Sequence, residues 1–141
     1  MPDLVKLTVS HTYGSSAERV FDAWLDPDKA GRFLFATPDG EMIKVEIDPV
    51  VGGRFNFTDR RGADDVEHIG EYLEIDRPRR LVFEFGVPMY SPERGRVEVD
   101  IEAFAEGGCK LTLTAWVDPE WAERTEQGWT MILGNLDKVV G

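Results

Sequence analysis

EQGWTMILGNLDKVV, residues 126–140, reads as a closing helix, and what that helix covers decides the fold. With the segment before it, it sets Trp121, Thr125, Trp129, Ile132, Leu136 and Val139 on one face at helical spacing. Pro119 stands where such a helix begins, because proline's fixed φ suits a first turn. The stretch also holds Gly128 and Gly134, and a glycine inside a helix costs about 1 kcal/mol relative to alanine. Two readings fit. Either another backbone comes very close, or the helix walls an interior that is not simply core.

Upstream of this helix the period is two. Ile43, Val45 and Ile47 alternate with Lys44, Glu46 and Asp48, and Phe55 and Phe57 alternate with Arg54, Asn56 and Thr58. EHIGEYLEI (67–75), LVFEFG (81–86), RVEVDIEAF (96–104) and KLTLTAW (110–116) continue the series. Turn signals separate them at 49–53, 59–65, 76–80 and 106–108, and a Pro-containing loop spans 89–94. Gly52-Gly53 joins two strands and opens no helix, so it is a turn and not a nucleotide fingerprint. LVKLTVSH (4–11) alternates in the same way at the start. Ser15 or Ser16 then caps a helix carrying Ala17, Val20, Phe21 and Trp24, and Asp26-Pro27 ends it and opens a second short one.

The order is β-α-α-β-β-β-β-β-β-α. Hairpin turns between strands make the sheet antiparallel, and its clean polar faces leave one side wet. The other side needs a cover, and only the long C-terminal helix is large enough. The expectation is an α+β protein of one domain, residues 1–141, in which a curved seven-stranded sheet wraps around that helix.

Composition narrows the function. The 27 acidic residues against 16 basic ones give a net charge of −11, which disfavours nucleic-acid and anionic membrane surfaces. The single cysteine, Cys109, suits a reducing compartment and reads as a packed thiol. The N-terminus has no basic n-region, and no stretch approaches the roughly 20 apolar residues of a membrane span. A cytoplasmic location is expected. There is no GxSxG, HExxH or CxxC pattern and no phosphate loop, and two histidines and one cysteine do not make a metal set. No cofactor, metal or catalytic set is expected.

A sheet curved around one helix need not close tightly. Phe55, Phe57, Tyr72, Phe83, Phe85 and Trp129 meet in the middle, where they either pack shut or line a hollow. Trp24, Phe35, Val99 and Leu133 complete the candidate ligand cavity. His68 is the polar member of that set, and its orientation turns on register. In one register Val66, His68, Gly70 and Tyr72 face inward, with a bulge near Leu73 returning Leu73 and Ile75 to the interior. In the other, Ile69, Leu73 and Ile75 are buried and His68 is wet. His11, at a strand end, reads as solvated.

Four segments, taken together, resemble the activator-of-heat-shock-chaperone-ATPase-like (Aha-type) branch of the START-like, or SRPBCC, superfamily. They are SSAERVFDAWLDPDKAGRF (15–33), IDPVVGGRFNF (47–57), GEYLEIDRPRRLVFEF (70–85) and EQGWTMILGNLDKVV (126–140). The resemblance implies the helix-grip fold of START and Bet v-like proteins and a cavity between sheet and helix that takes hydrophobic molecules. It carries over Trp24, Gly53, Phe55, Gly70, Tyr72, Gly128 and Trp129, most of them as shapers of the fold. Members often have tryptophans after the second helix, where this chain has Phe33 and Phe35 in GRFLFATPDGEM (31–42). The eukaryotic activators also carry an N-terminal domain that this chain has no room for, so a chaperone partner is implied by the family's name alone.

Three functions follow. The first is a small soluble binding protein holding a hydrophobic or amphipathic small molecule in the cavity. The second is a cyclase- or hydrolase-type enzyme using His68 and Tyr72 with Glu74 or Arg96. The third is a co-chaperone-like protein acting through acidic strand faces such as Glu98, Asp100 and Glu102. Outward-facing Phe104 and Trp116 are compatible with a homodimer.

Overall fold

The computed structural model describes residues 4–34, 40–89 and 94–140. Seven strands form one antiparallel sheet: β1 (Val5–Tyr13), β2 (Glu41–Ile47), β3 (Arg54–Arg61), β4 (Asp64–Asp76), β5 (Arg80–Gly86), β6 (Gly95–Ala103) and β7 (Cys109–Val117). Their spatial order is β1-β7-β6-β5-β4-β3-β2. The consecutive strands β2 to β7 are neighbours, as hairpins require. The two helices that follow β1, α1 (Ala17–Ala23) and α2 (Pro27–Phe33), carry the chain across to the far edge. The long helix α3 (Ala122–Val140) follows a 3-10 turn at Pro119–Trp121. Among the described residues no helix is long and apolar enough to cross a membrane.

Local chemistry starts the first two helices where the sequence predicts, while Pro119 opens a 3-10 turn ahead of α3. The Ser16 side chain accepts from the Arg19 N–H (3.2 Å), and Asp26 accepts from the Asp28 N–H (3.0 Å) with Pro27 in the first turn. Between β6 and β7, Gly107 and Gly108 both take positive φ, and the Phe104 N–H donates to the Gly108 carbonyl (3.0 Å), closing the hairpin.

The period-two reading needs two corrections. A register shift between Met42 and Lys44 leaves Ile43 exposed, and Met42 joins Val45 and Ile47 against the core. The segment 59–65 is no open turn. Arg61 pairs with Asp64 across a hairpin tip at Gly62, so Asp59 lies inside β3 and is fully buried.

The core side of α3 carries Trp129, Ile132, Leu133, Leu136 and Val140. Trp121, expected on that stripe, is half exposed in the 3-10 turn, with the Arg124 guanidinium 5.2 Å over its ring. A 3-10 turn advances each residue by a different angle, so the stripe does not continue back into it.

Three side chains from one segment tie α3 down. Tyr13 Oη donates to the Leu133 carbonyl (2.8 Å), and Ser15 Oγ donates to the Val140 carbonyl (2.6 Å). His11 Nε2 meets Asp137 Oδ2 at 3.1 Å. His11 is therefore a half-buried contact to the helix and not a solvated strand end.

On the wet face, Arg80 reaches Glu74 (2.6 Å), Asp100 (2.8 Å) and Glu98 (2.9 Å), and Arg96 adds a second bond to Glu98 (2.8 Å). Val82, paired with both Glu74 and Glu98 on that face, is fully buried. Long charged side chains cover apolar surface with their stems, so this network covers Val82.

Candidate functional site

The register that turns His68 inward is the one the chain adopts. Phe55 pairs with Gly70 and Phe57 with His68, and a register shift between Tyr72 and Glu74 brings Ile75 back against the core. Leu73, the residue skipped at that shift, stays only half-buried. The inner face of β3, β4 and β5 therefore carries Phe55, Phe57, His68, Gly70, Tyr72, Phe83 and Phe85.

These rings touch in sequence. Phe33 at the end of α2 stands edge-on to Trp24 (5.2 Å between centroids), and Trp24 leans on Phe83 (6.4 Å). Phe83 meets Phe55 edge-to-face (5.6 Å) and Phe85 at 6.2 Å. Phe55 meets Phe57 and Tyr72, and Phe85 meets Trp129 of α3 edge-to-face (5.8 Å). Edge-to-face pairs are the favoured aromatic geometry and stabilise by about 0.5–1.5 kcal/mol each beyond burial.

Gly70 makes this possible. A Cβ there would overlap both the Phe55 ring and the Glu84 carbonyl oxygen. Gly128 and Gly134 are the opposite case, since a Cβ on either would meet nothing within 4 Å. Among the described residues no other backbone approaches them, which removes close approach as the reason for glycine in α3.

Of the residues expected to line a cavity, Trp24, Phe55, Phe57, Tyr72, Phe83, Val99, Trp129 and Leu133 fall in one buried cluster. Phe85 packs against it, half-buried, and His68 is buried beside it. Phe35 lies outside the described residues. The hollow left among the rings is small, about 10 Å³, lined by Trp24, Leu34, Phe55, Tyr72, Leu81 and Phe83. That is room for about one water-sized group. Trp24 is 1 % exposed, and its indole Nε1–H has no hydrogen-bond partner among the described residues. An unmet buried donor costs about 1–3 kcal/mol.

A second concavity, about 480 Å³ and open to solvent, lies over β2, β3 and β4. Its walls bring Glu46, Asp48, Arg54 and Arg94 around Ile47, Asn56 and Ile69, and it reaches Phe55 and Gly70 of the inner face. Its rim is charged while Ile47, Phe55 and Ile69 supply apolar wall.

The polar groups of the interior are held neutral or paired. Burial pushes the His68 imidazole down to about 4, against the hydrogen bond between Nδ1 and the Phe57 carbonyl (3.2 Å), which works the other way. Burial, with Asp48 adding to it, drives the Tyr72 phenol well above its ordinary range. At neutral pH both are uncharged, and Tyr72 keeps its proton.

Glu74 and Arg96, considered as partners for them, do not turn in. The register shift at Leu73 sends Glu74 to the wet face, where it binds Arg80, and Arg96 pairs with Glu98 on that same face. What the sequence reading missed is Asp59. It is fully buried on the His68 end of the inner face and accepts from Arg61 Nε (2.9 Å). The signal was present: counted from Phe55 and Phe57 at period two, Asp59 and Arg61 fall on the same side.

The profile of the activator of Hsp90 ATPase homolog 1-like proteins matches residues 15–141. The fold is similar to that of an AHSA1-like protein from Aeromonas hydrophila, 25% identical, with TM-score 0.82 over 96% of this chain and 92% of that one. It is also similar to protein CV1439 from Chromobacterium violaceum, 20% identical, with TM-score 0.84 over 96% of both chains. CalU16 from Micromonospora echinospora, 19% identical, superposes with TM-score 0.74 over 98% of this chain and 77% of its own. No curated protein matches the sequence.

Proposed function

The chain belongs to the activator of Hsp90 ATPase homolog 1-like family, and from that premise we propose that it is a small binding protein for a hydrophobic or amphipathic molecule. The ligand lies between the sheet and α3. The observation that carries this reading is the unbroken run of rings from Phe33 and Trp24 through Phe83 and Phe85 to Trp129, with a residual hollow at its Trp24–Phe83 end. A core built only for stability is filled by interlocking aliphatic and aromatic side chains. Here the inner face of three adjacent strands is largely aromatic, and rings can swing about χ1 to admit a flat apolar guest. The buried Asp59, its partly exposed partner Arg61 and His68 at one end suit an amphipathic molecule that is apolar along most of its length.

The hollow is too small for such a guest, so binding requires the wall to widen. A ligand that holds the widened form shifts the protein towards it by its differential affinity. Native mass spectrometry of the purified protein, with titration of an apolar aromatic probe followed by tryptophan emission, tests the reading. A co-purifying small molecule, or saturable quenching that Trp129→Phe reduces, supports it. A clean mass with no saturable change sinks it, and the rings are then core alone.

A further inference from the structure

A guest reaches the interior only if one wall gives way, since the hollow holds about 10 Å³. The sheet is laddered from edge to edge. Helix α1 is pinned by buried Val20 and Phe21 and by Asp22, which accepts two bonds from Arg77 (2.7 and 2.8 Å). The long helix α3 is uneven. Between Ala122 and Met131 only Trp129 is buried, whereas the second half buries Ile132, Leu133, Leu136 and Val140. The three side-chain contacts from residues 11–15 reach Leu133, Asp137 and Val140. No side-chain hydrogen bond between described residues ties Ala122–Met131 to another element. Ahead of that half, the 3-10 turn leaves Trp121 half exposed. Gly128 lowers helix propensity within it, and the open space beside Gly128 means that packing does not require a glycine there. Few buried contacts and no polar tie let a segment open well below the free energy of global unfolding.

We propose that Ala122–Met131 is the door of the binding site: it unwinds from the sheet as a unit while Ile132–Val140 stays docked. This rests on the binding reading above and names the wall that moves. The path follows the rings. Trp129 stands edge-to-face with Phe85 (5.8 Å), Phe85 meets Phe83 (6.2 Å), and Phe83 lines the hollow. Withdrawing Trp129 uncovers that run from its Phe85 end. A guest seated behind Phe85 gains the Trp129 ring as a cover when the helix rewinds, so the complex is closed and the open form is only the passage.

The two glycines of α3 make a matched test, because both have open space beside them and they lie in different halves. Gly128→Ala stabilises the door, and Gly134→Ala stabilises the docked half by the same helix propensity. Stopped-flow tryptophan emission follows the uncharged probe N-phenyl-1-naphthylamine. Gly128→Ala is expected to slow association and dissociation alike, by about three-fold, and to leave the dissociation constant unchanged, because it depopulates only the passage. Gly134→Ala is expected to change neither rate, although it raises the urea midpoint as much. In parallel, native-state amide exchange is measured on the ligand-free wild type. Residues 126–131 are expected to exchange at least about ten-fold faster than residues 136–140 and strands β6 and β7.

Equal slowing by both variants, slowing by neither, or exchange at residues 126–131 no faster than in the sheet overturns the door and leaves the binding reading standing. Slowing by Gly134→Ala alone overturns it and moves the opening to the other half of α3. A probe that never saturates the wild type overturns both.

Discussion

Glycine has opposite meanings at two places in this chain. At Gly70 a side chain would collide with a backbone carbonyl and with a ring held by three aromatic neighbours, so neither obstacle can give. Gly70→Ala is expected to destabilise by about 3 kcal/mol, the upper range of overpacking. At Gly128 and Gly134 the space is open, and alanine is expected to stabilise by about 0.5–1 kcal/mol each through helix propensity. Urea midpoints at constant slope measure all three, and a stable Gly70→Ala protein would refute the packing of Phe55 described here. His68 adds a pH dependence. The folded protein holds its pKa near 4 while the unfolded chain keeps the ordinary 6.5, so between those values the unfolded state binds a proton that the native state refuses. Stability is full above about pH 6.5 and falls by up to about 3 kcal/mol as pH drops towards 4. His68→Gln is expected to flatten that slope. The paired carboxylates, such as Asp22 beside Arg77, act at lower pH, where their own protonation begins.

At the scale of elements, α3 is held as much by polar contacts as by its apolar stripe. The contacts come from residues 11–15, so β1 and the turn after it position the last two turns of the helix. Tyr13→Phe removes one buried hydrogen bond and is expected to cost about 1 kcal/mol. Its more telling readout is local. Amide exchange at residues 136–140 is expected to quicken more than exchange in β6 and β7, because the helix end loosens before the sheet does. Uniform acceleration everywhere would mean that the contact contributes only to global stability. The same geometry bears on binding, since Trp129 reaches the aromatic run from the first half of α3 while the second half is tied to the edge strand.

The whole molecule carries a net charge of −11, and the ion pairs on the wet face are partly exposed. Exposed pairs contribute little, while like-charge repulsion over the entire surface destabilises the compact state. Raising NaCl from about 10 to about 200 mM shortens the Debye length to below about 10 Å and is expected to raise the thermal midpoint by a few degrees. A falling midpoint would assign more weight to the Arg80 network than to the repulsion. A ligand bound in the interior raises the midpoint further, by mass action, and independently of salt if the ligand is uncharged.

The order of elements, the antiparallel hairpins, the helix caps and the inward aromatic set were all legible in the sequence. Each depends on near neighbours along the chain: period two for strands, period 3.6 for α3, and capping side chains within three residues of the N–H they meet. The shift at Met42–Lys44, the burial of Asp59 and the exposure of Trp121 were not legible, whereas the bulge near Leu73 was expected in the register that turns His68 inward. A bulge is set by which residues of the adjacent strand must face the core, so only the assembled sheet moves Ile43 out. The choice between two registers around His68 was likewise open until Phe57 and Phe55 took partners. Whether the rings closed was the least legible feature, because it depends on the side-chain volume that sheet and helix bring to one point. The sequence by itself determined a curved sheet gripping a helix with aromatics between them. Tertiary packing alone decided that they close to a hollow of about 10 Å³ with the Trp24 indole on its wall.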